Sequence, residues 1–224
     1  MRNILYILII FFLFSCNKDD EKNILSIDFS YFPHNIGNTY VYDVTEINID
    51  KRASVNDTNN YRLKETFESS FIDDEKNICY RVERYKMDSK DTLWSVLNIW
   101  YITISNNCVY KTEDNYRYKK IIFPVKQQNT WNGNSENTKE FQEYTITTVD
   151  VLETIGDKNY NNILSILQND KENLIEKQYS IEKYAKNIGL VYKKHIDISE
   201  LEPQPGIPWE QRINVGHIYI QILK

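Results

Sequence analysis

Histidines and clustered carboxylates are the side chains most often used for metal binding and acid–base catalysis, and this chain places few of them together. His195 and Asp197 alternate along one predicted strand, so they would share a face and could contribute to a metal site. Zinc sites use at least about three protein ligands, and no third ligand is evident nearby. We therefore interpret His195 as an exposed histidine on a polar strand face, and we predict no metal site and no cofactor.

Within the predicted domain, Asp73-Asp74-Glu75 form a tight cluster of carboxylates, which offers the oxygen ligands that calcium prefers. The cluster falls at a predicted turn, and we interpret it as an acidic hairpin tip. Serine-hydrolase, phosphate-loop, thiol-redox and zinc-protease motifs are absent. The 32 acidic residues show no motif that would define a pair of glycosidase carboxylates. The sequence thus predicts a protein that is not an enzyme, with no catalytic residue.

The cysteines divide into one at the N-terminal region and two within the predicted strands. Cys79 and Cys108 could form a cross-strand disulfide if the protein folds in an oxidising compartment. Two unpaired, half-buried thiols are an equally ordinary outcome. Neither cysteine has a histidine close in sequence, so neither is predicted to be catalytic.

The third cysteine, Cys16, ends an N-terminal secretion signal. Arg2 is followed by an uncharged apolar run over residues 4–14, which is shorter than the roughly 20 residues of a membrane-spanning helix. Leu13-Phe14-Ser15-Cys16 resembles the bacterial lipobox. That resemblance implies that residues 1–15 are removed, that Cys16 is acylated, and that two or more acyl chains anchor the protein stably to a membrane. Residues 16–23 would then be the lipidated cysteine and an acidic tether.

The tether carries a possible sorting signal. Asn17-Lys18-Asp19-Asp20-Glu21 resembles the export signal of surface lipoproteins in Bacteroidetes-type bacteria. The resemblance implies an outer-membrane lipoprotein on the cell surface, with the periplasmic face of that membrane as the alternative.

Charge excludes one class of partner. The chain has a formal net charge of −5, and removal of Arg2 with the signal makes it −6. No basic stripe is present that could neutralise phosphates, so we predict no nucleic-acid partner. The sequence carries no signal for an oligomeric state.

Strand patterns dominate the rest of the chain. Runs rich in aromatic and β-branched residues are separated by turn residues, and we count about ten strands. The best helix candidate, residues 163–178, is interrupted by a polar segment. We predict a mainly β protein whose antiparallel strands form one strongly curved sheet or a barrel-like architecture, in a single domain over residues 24–224.

Tyrosines recur at alternating positions of these strands and define a possible ligand face. On the last strand, Ile218, Ile220 and Ile222 share a face that would pack a core, and the opposite face would meet solvent or a concavity. A hollow lined by tyrosines could bind a lipid, a sugar or a peptide. The alternative is that half-exposed tyrosines cover a thin core. The candidate face comprises Tyr40, Tyr42, Tyr116, Tyr118, His217 and Tyr219.

One short pattern indicates a modification. Asp91-Thr92-Leu93 resembles the O-glycosylation acceptor of Bacteroidetes-type bacteria and lies at a predicted loop–strand edge. The resemblance implies a glycan on Thr92.

Several segments together resemble a family of uncharacterised lipoproteins from Bacteroidetes-type bacteria. They are residues 31–33, 37–42, 80–85, 123–125, 130–134 and 184–193. The resemblance spans most of the mature chain and implies a curved antiparallel sheet, but no activity and no catalytic residues. We therefore expect a lipid-anchored, non-enzymatic binding or interaction module for a lipid, glycan or protein ligand. An accessory subunit of an envelope complex is the alternative, and a hydrolase is less favoured.

Overall fold

The computed structural model describes residues 28–105 and 107–224. The predicted signal peptide, Cys16, the tether and the start of the predicted domain lie outside these residues, as does Asn106 of a predicted turn. Among the described residues, no helix is long and apolar enough to cross a membrane.

Twelve β-strands make up the fold, together with one short 3-10 turn at Trp209–Gln211. The strands are β1 (Thr39–Asp50), β2 (Val55–Ile72), β3 (Ile78–Asp88), β4 (Ser95–Ile104), β5 (Cys108–Glu113), β6 (Tyr116–Ile122), β7 (Thr130–Asn132), β8 (Glu143–Ile155), β9 (Lys158–Glu172), β10 (Lys177–Ala185), β11 (Gly189–Leu201) and β12 (Ile213–Leu223).

All twelve strands belong to one antiparallel sheet in the order β6-β5-β4-β3-β2-β1-β12-β11-β10-β9-β8-β7. Consecutive strands pair with each other except β6 and β7, which are the two edges of the sheet, and β1 and β12 join the two halves of the chain in its middle. A continuous sheet of this kind is a single domain, which confirms the predicted fold class.

The edges of the sheet approach each other, so the sheet nearly closes into a barrel. The backbone N–H of Lys119 on β6 donates to the carbonyl of Gly133, just after β7, at 2.9 Å. The indole Nε1–H of Trp131 donates to the carbonyl of Lys119 at 2.7 Å. These contacts satisfy backbone groups that an open edge would expose to other chains.

Two hairpin turns have the chemistry that the sequence predicts. Asp114 and Asn115, between β5 and β6, adopt φ values of 49° and 67°, the left-handed pair that a type I′ turn requires. Gly156, with a φ of 62°, begins the two-residue connection between β8 and β9.

The dipeptide Asn132-Gly133 is of the kind that favours a type I′ turn, and the turn that it predicts here is wrong. Gly133 has no positive φ and follows the short strand β7. A Cβ atom added to Gly133 would lie 2.4 Å from two carbon atoms of the Tyr144 ring. Glycine is needed here because an aromatic ring packs directly on the backbone.

The expectation of about ten strands also needs correction, since the sheet has twelve. The sequence also predicts a polar loop over residues 53–60, but residues 55–60 extend β2 because they pair with residues 45–50 of β1. The helix candidate at residues 163–178 is part of β9 and β10, separated by a turn near Asn173. Pairing with neighbouring strands outweighs the weak local preference in both segments.

Apolar side chains pack on both faces of the sheet. Inside the curve, Phe67, Ile102, Ile146 and Ile166 belong to the largest core cluster. Smaller clusters lie on the opposite face, and Ile218 and Ile222 pack there as partly buried residues against separate clusters. The strand β11 therefore carries apolar residues towards the outside and polar residues towards the inside.

Candidate binding cavity

A cavity of about 590 Å³ lies within the curved sheet. Its walls come from the inner faces of strands in both halves of the chain, from β2 to β6 and from β8 to β12. The volume is within the range of about 300–1,000 Å³ that is usual for small-molecule sites.

Cross-strand pairing places one row of polar side chains along the cavity wall. Asn169, Ser180, His195, Tyr219 and Glu46 are successive register partners on β9, β10, β11, β12 and β1. Because side chains alternate across a strand, residues two positions away form parallel rows on the same face.

The next row towards one end contains Gln178, Asp197, His217 and Asn48. The next row towards the other end contains Glu182, Lys193 and Gln221. The inner surface of these strands is therefore polar over three consecutive rows, although a sheet interior is normally apolar.

A buried ion-pair network forms one wall of the cavity. Lys120 Nζ lies 2.6 Å from Glu182 Oε1, and Lys193 Nζ lies 3.7 Å from the same oxygen. The Tyr184 hydroxyl donates to the other carboxylate oxygen at 2.6 Å. Glu182 is 1% exposed.

The lysines decide the ionisation of this carboxylate. Burial would raise the pKa of Glu182, but Lys120 and then Lys193 oppose it and bring the pKa to about 2. Burial would likewise lower the pKa of Lys120, yet Glu182 and Glu113 raise it overall. Both partners are therefore charged at neutral pH, which is the condition under which a buried pair is stable.

Trp100 is the aromatic centre of a second charged group. The guanidinium carbon of Arg84 lies 3.3 Å from the ring centroid, and Lys111 Nζ lies 4.0 Å from it. Arg84 Nε donates to Glu65 Oε1 at 2.9 Å, and Lys111 Nζ lies 3.2 Å from Glu113 Oε1. Cation–π contacts and carboxylates together compensate these buried cations.

Two histidines lie on the cavity wall with their ring centroids 6.3 Å apart. His195 Nδ1 is 2.6 Å from Ser180 Oγ, and His217 Nε2 is 2.9 Å from Glu46 Oε1. Burial, followed by the charge of Lys193, lowers the pKa of His195, so this imidazole is neutral at pH 7. The description of His195 as simply exposed is wrong, since it is partly buried and faces the cavity.

The structure does not place a third metal ligand beside His195 and Asp197 within the residues that it describes. Within residues 28–105 and 107–224, no group of three or more histidine, cysteine or acidic side chains is arranged to hold a metal ion. In the acidic cluster, Asp73 instead accepts hydrogen bonds from the backbone N–H and the amide of Asn77, at 2.7 and 3.2 Å. Asp73 thus stabilises its own turn.

The structure divides the candidate tyrosine face. Tyr118, Tyr219 and His217 line the cavity. Tyr42 is buried and Tyr40 is partly buried, and both border a separate small cavity of about 40 Å³. Tyr116 is exposed, with its ring centroid 6.4 Å from that of Tyr118.

Sequence reasoning missed the charged residues of the cavity, including Lys120, Glu182 and Lys193. The sequence does contain a pattern that indicates them, because Ser180, Glu182 and Tyr184 occupy alternate positions along one strand. Lys193 and His195 alternate in the same way on the next strand. Such alternation defines a polar face, but it does not say whether that face is the inside or the outside.

The structure does not pair the two cysteines that could have formed a disulfide. Both Cys79 and Cys108 are buried and free. They lie on β3 and β5, on either side of β4. Two strand spacings amount to roughly 10 Å, which exceeds the limit of about 7 Å between bridged Cα atoms. Cys79 Sγ lies 3.2 Å from Thr103 Oγ1 instead.

Thr92, the predicted glycan acceptor, is exposed in the connection between β3 and β4. Its modification stays a prediction, as does the acylation of Cys16.

No protein-family model and no curated protein sequence matches the chain. The fold is similar to that of two solved structures. One, from Bacteroides fragilis, is provisionally described as an exported protein with a YmcC-like fold; it has a TM-score of 0.45 and 10% identity, over 86% of this chain and 98% of that chain. The other, from Parabacteroides distasonis, is provisionally described as a lipoprotein; it has a TM-score of 0.43 and 10% identity, over 87% of this chain and 98% of that chain.

Proposed function

We propose that this protein is a lipid-anchored, non-enzymatic binding module of the bacterial envelope, which holds a small hydrophilic ligand inside its curved sheet. The observation that carries the proposal is the cavity of about 590 Å³, whose wall carries polar side chains from two of the three polar rows and Lys193 from the third. An interior filled by apolar side chains would stabilise a purely structural domain better, since buried polar groups cost free energy unless they are paired.

The chemistry of the wall selects among the ligand classes expected from the sequence. Gln142, Asn169 and Gln178 present amides to the cavity, and Ser180 presents a hydroxyl. These groups also bond to one another and to neighbours, but an alkyl chain could not use their remaining donors and acceptors, whereas hydroxyl-rich molecules such as glycans could. A glycan ligand is therefore favoured over a lipid.

Native mass spectrometry of the full chain, purified from envelopes without denaturation, tests this proposal. We expect a non-covalent adduct that the cavity-filling substitution Gln178→Trp removes. Asn56→Trp is the matched control, because Asn56 is an exposed residue of β2 away from the cavity. Adduct-free spectra of the wild-type protein, or an adduct that survives Gln178→Trp, would contradict the proposal.

The anchor and the location form a separate part of the proposal. The lipobox-like Leu13-Phe14-Ser15-Cys16 and the tether that follows support acylation at Cys16 and an outer-membrane location on the cell surface. Labelling with an alkyne palmitate analogue should modify the wild-type chain but not Cys16→Ala. Protease treatment of intact cells should degrade the protein if it is on the surface, and protection would place it on the periplasmic face.

An accessory role in an envelope complex is the second candidate, favoured by an apolar area on the outer face. Phe71 and Tyr101 contact each other with centroids 5.9 Å apart, and both are exposed together with Val96 and Ile99. Exposed apolar areas often mark protein interfaces. Cross-linking in cells through a photoreactive residue at Ile99 should give a defined conjugate if this role is correct, and no conjugate would count against it.

A further inference from the structure

Two buried hydrogen-bond donors on the cavity wall have no acceptor. Gln168 Nε2 and Trp100 Nε1 lack any hydrogen-bond partner among the residues that the structure describes. Gln168 is 7% exposed, Trp100 is 8% exposed, and both line the cavity. A buried donor left unpaired costs free energy, so a ligand that supplies acceptor oxygens here would remove that cost.

An irregularity of the sheet directs Gln168 inwards. The register between β9 and β10 shifts between Ser180 and Ile181, whose partners are Asn169 and Leu167. Gln168 is therefore the extra residue of a bulge, and it lines the cavity together with its neighbour Asn169. Bulges characteristically re-aim one side chain in this way.

Positive charge exceeds negative charge on the wall. The cationic side chains on the inner wall are Arg84, Lys120, Lys139 and Lys193, and the anionic ones are Glu113 and Asp197. Glu65 and Glu182 compensate Arg84 and Lys120. The chain as a whole has a net charge of −5, so the lining of the cavity is richer in cations than the molecule, although carboxylates behind the wall pair with two of them.

The ammonium group of Lys193 makes no short hydrogen bond in the buried network, although its charge lowers the pKa of both Glu182 and Glu113. It lies 3.7 Å from Glu182 Oε1, an oxygen that already accepts a 2.6 Å hydrogen bond from Lys120. The second oxygen of Glu182 accepts from Tyr184. The ammonium group of Lys193 therefore retains donors for another oxyanion.

We propose that the cavity recognises an acidic sugar, whose carboxylate pairs with Lys193 and whose hydroxyl and ring oxygens accept from Gln168 and Trp100. The inference rests on the proposed binding function and names its ligand class. Excess donors and excess positive charge are complementary to a ligand that is rich in acceptors and negatively charged. The amides of the wall pair with the remaining hydroxyl groups.

Calorimetric titration of the full chain with D-glucuronate, D-glucose and octanoate at low ionic strength tests the inference. We expect binding of glucuronate and weaker or undetectable binding of the other two. Lys193→Met should weaken glucuronate binding by about tenfold or more, as expected for a hydrogen bond to a charged group. Lys193→Arg should retain most of the affinity. Lys158→Met, the same charge change at the exposed first residue of β9, should have little effect.

Gln168→Leu provides a second variant that keeps the side-chain volume and does not disturb the ion pairs. It should weaken glucuronate binding several-fold while leaving the protein folded.

Equal binding of glucose and glucuronate, with no effect of Lys193→Met, would overturn the acidic-sugar inference and leave the binding function standing. Preferential binding of octanoate would overturn it in favour of a fatty acid. Failure of all three probes would overturn the inference, whereas the binding function is judged by the native mass spectra.

Discussion

Lys120 and Glu182 join opposite parts of the sheet through its interior. Their Nζ and Oε1 atoms are 2.6 Å apart, although the residues are 62 positions apart in sequence. Lys120 lies on β6, at one edge of the sheet, and Glu182 lies on β10, in the other half. The pair therefore spans the space that the curved sheet encloses and depends on the near-closure of the barrel.

Removal of the carboxylate should destabilise the protein strongly. Glu182→Gln leaves Lys120 buried without its counter-charge, and we expect a loss of about 3–5 kcal/mol in the free energy of unfolding. Urea denaturation measures this loss. Asp43→Asn is the control, since the Asp43–Arg62 pair is exposed and should contribute no more than about 1 kcal/mol. A similar small effect for both variants would contradict the role assigned to the buried pair.

The same carboxylate should make stability depend on pH in acid. Lys120 and Lys193 overcome the effect of burial and hold the pKa of Glu182 at about 2, below the value of about 4.3 for an unfolded chain. Its contribution to stability is therefore fully present above about pH 4.3 and is lost as the pH falls towards 2. The difference in unfolding free energy between wild type and Glu182→Gln, measured from pH 6 to pH 2, should be constant above that window and shrink within it. If the difference in unfolding free energy between the two proteins increased as the pH falls, it would contradict this prediction.

Gly133→Ala should destabilise the closure of the sheet. The new Cβ would meet the Tyr144 ring at 2.4 Å, and overpacking of this kind typically costs about 1–3 kcal/mol. Tyr144→Leu removes the ring and should relieve part of the clash. Thermal denaturation of both single variants and the double variant should therefore show less than additive losses. Strict additivity would mean that the ring is not what excludes a side chain at this position.

The turn between β5 and β6 offers a test of backbone preference alone. Asn115 has a φ of 67°, so Asn115→Gly should preserve stability or increase it slightly. Asn115→Val should lower stability by about 1–2 kcal/mol, because β-branched residues strongly disfavour the left-handed region. Chemical denaturation distinguishes the two variants, and equal stabilities would argue against a type I′ turn.

The two strand cysteines should behave as buried thiols. Burial raises the pKa of the Cys79 thiol, which lowers the reactive thiolate fraction. We expect a thiol reagent such as dithionitrobenzoate to leave Cys79 and Cys108 unmodified in the folded protein and to modify both after unfolding in urea. Cys79→Ala and Cys108→Ala identify the contribution of each residue. An intact mass that matches the oxidised form would instead indicate a disulfide.

Local sequence was sufficient for the β-rich class and for turns whose residues have distinct backbone preferences. Asp114-Asn115 and Gly156 adopt the left-handed conformations that their residue types favour. The turn predicted at Asn132-Gly133 does not form. The glycine is needed there because the ring of Tyr144, a residue of another strand, packs directly on the backbone.

The alternation of polar and apolar residues also predicts that each cavity-lining strand has a polar face. It does not predict whether that face points into the sheet's interior or towards solvent. Lys193, His195 and Asp197 share one face of β11, and a strand pattern alone would place such a face in solvent. Only the closure of twelve strands turned that face inwards, where Lys120 from the far edge could meet Glu182. By itself the sequence determined the strand character, the turn chemistry and the polar alternation, since each depends on neighbours along the chain. The tertiary structure decided which face encloses the cavity and which charges meet there, since both depend on contacts between distant strands.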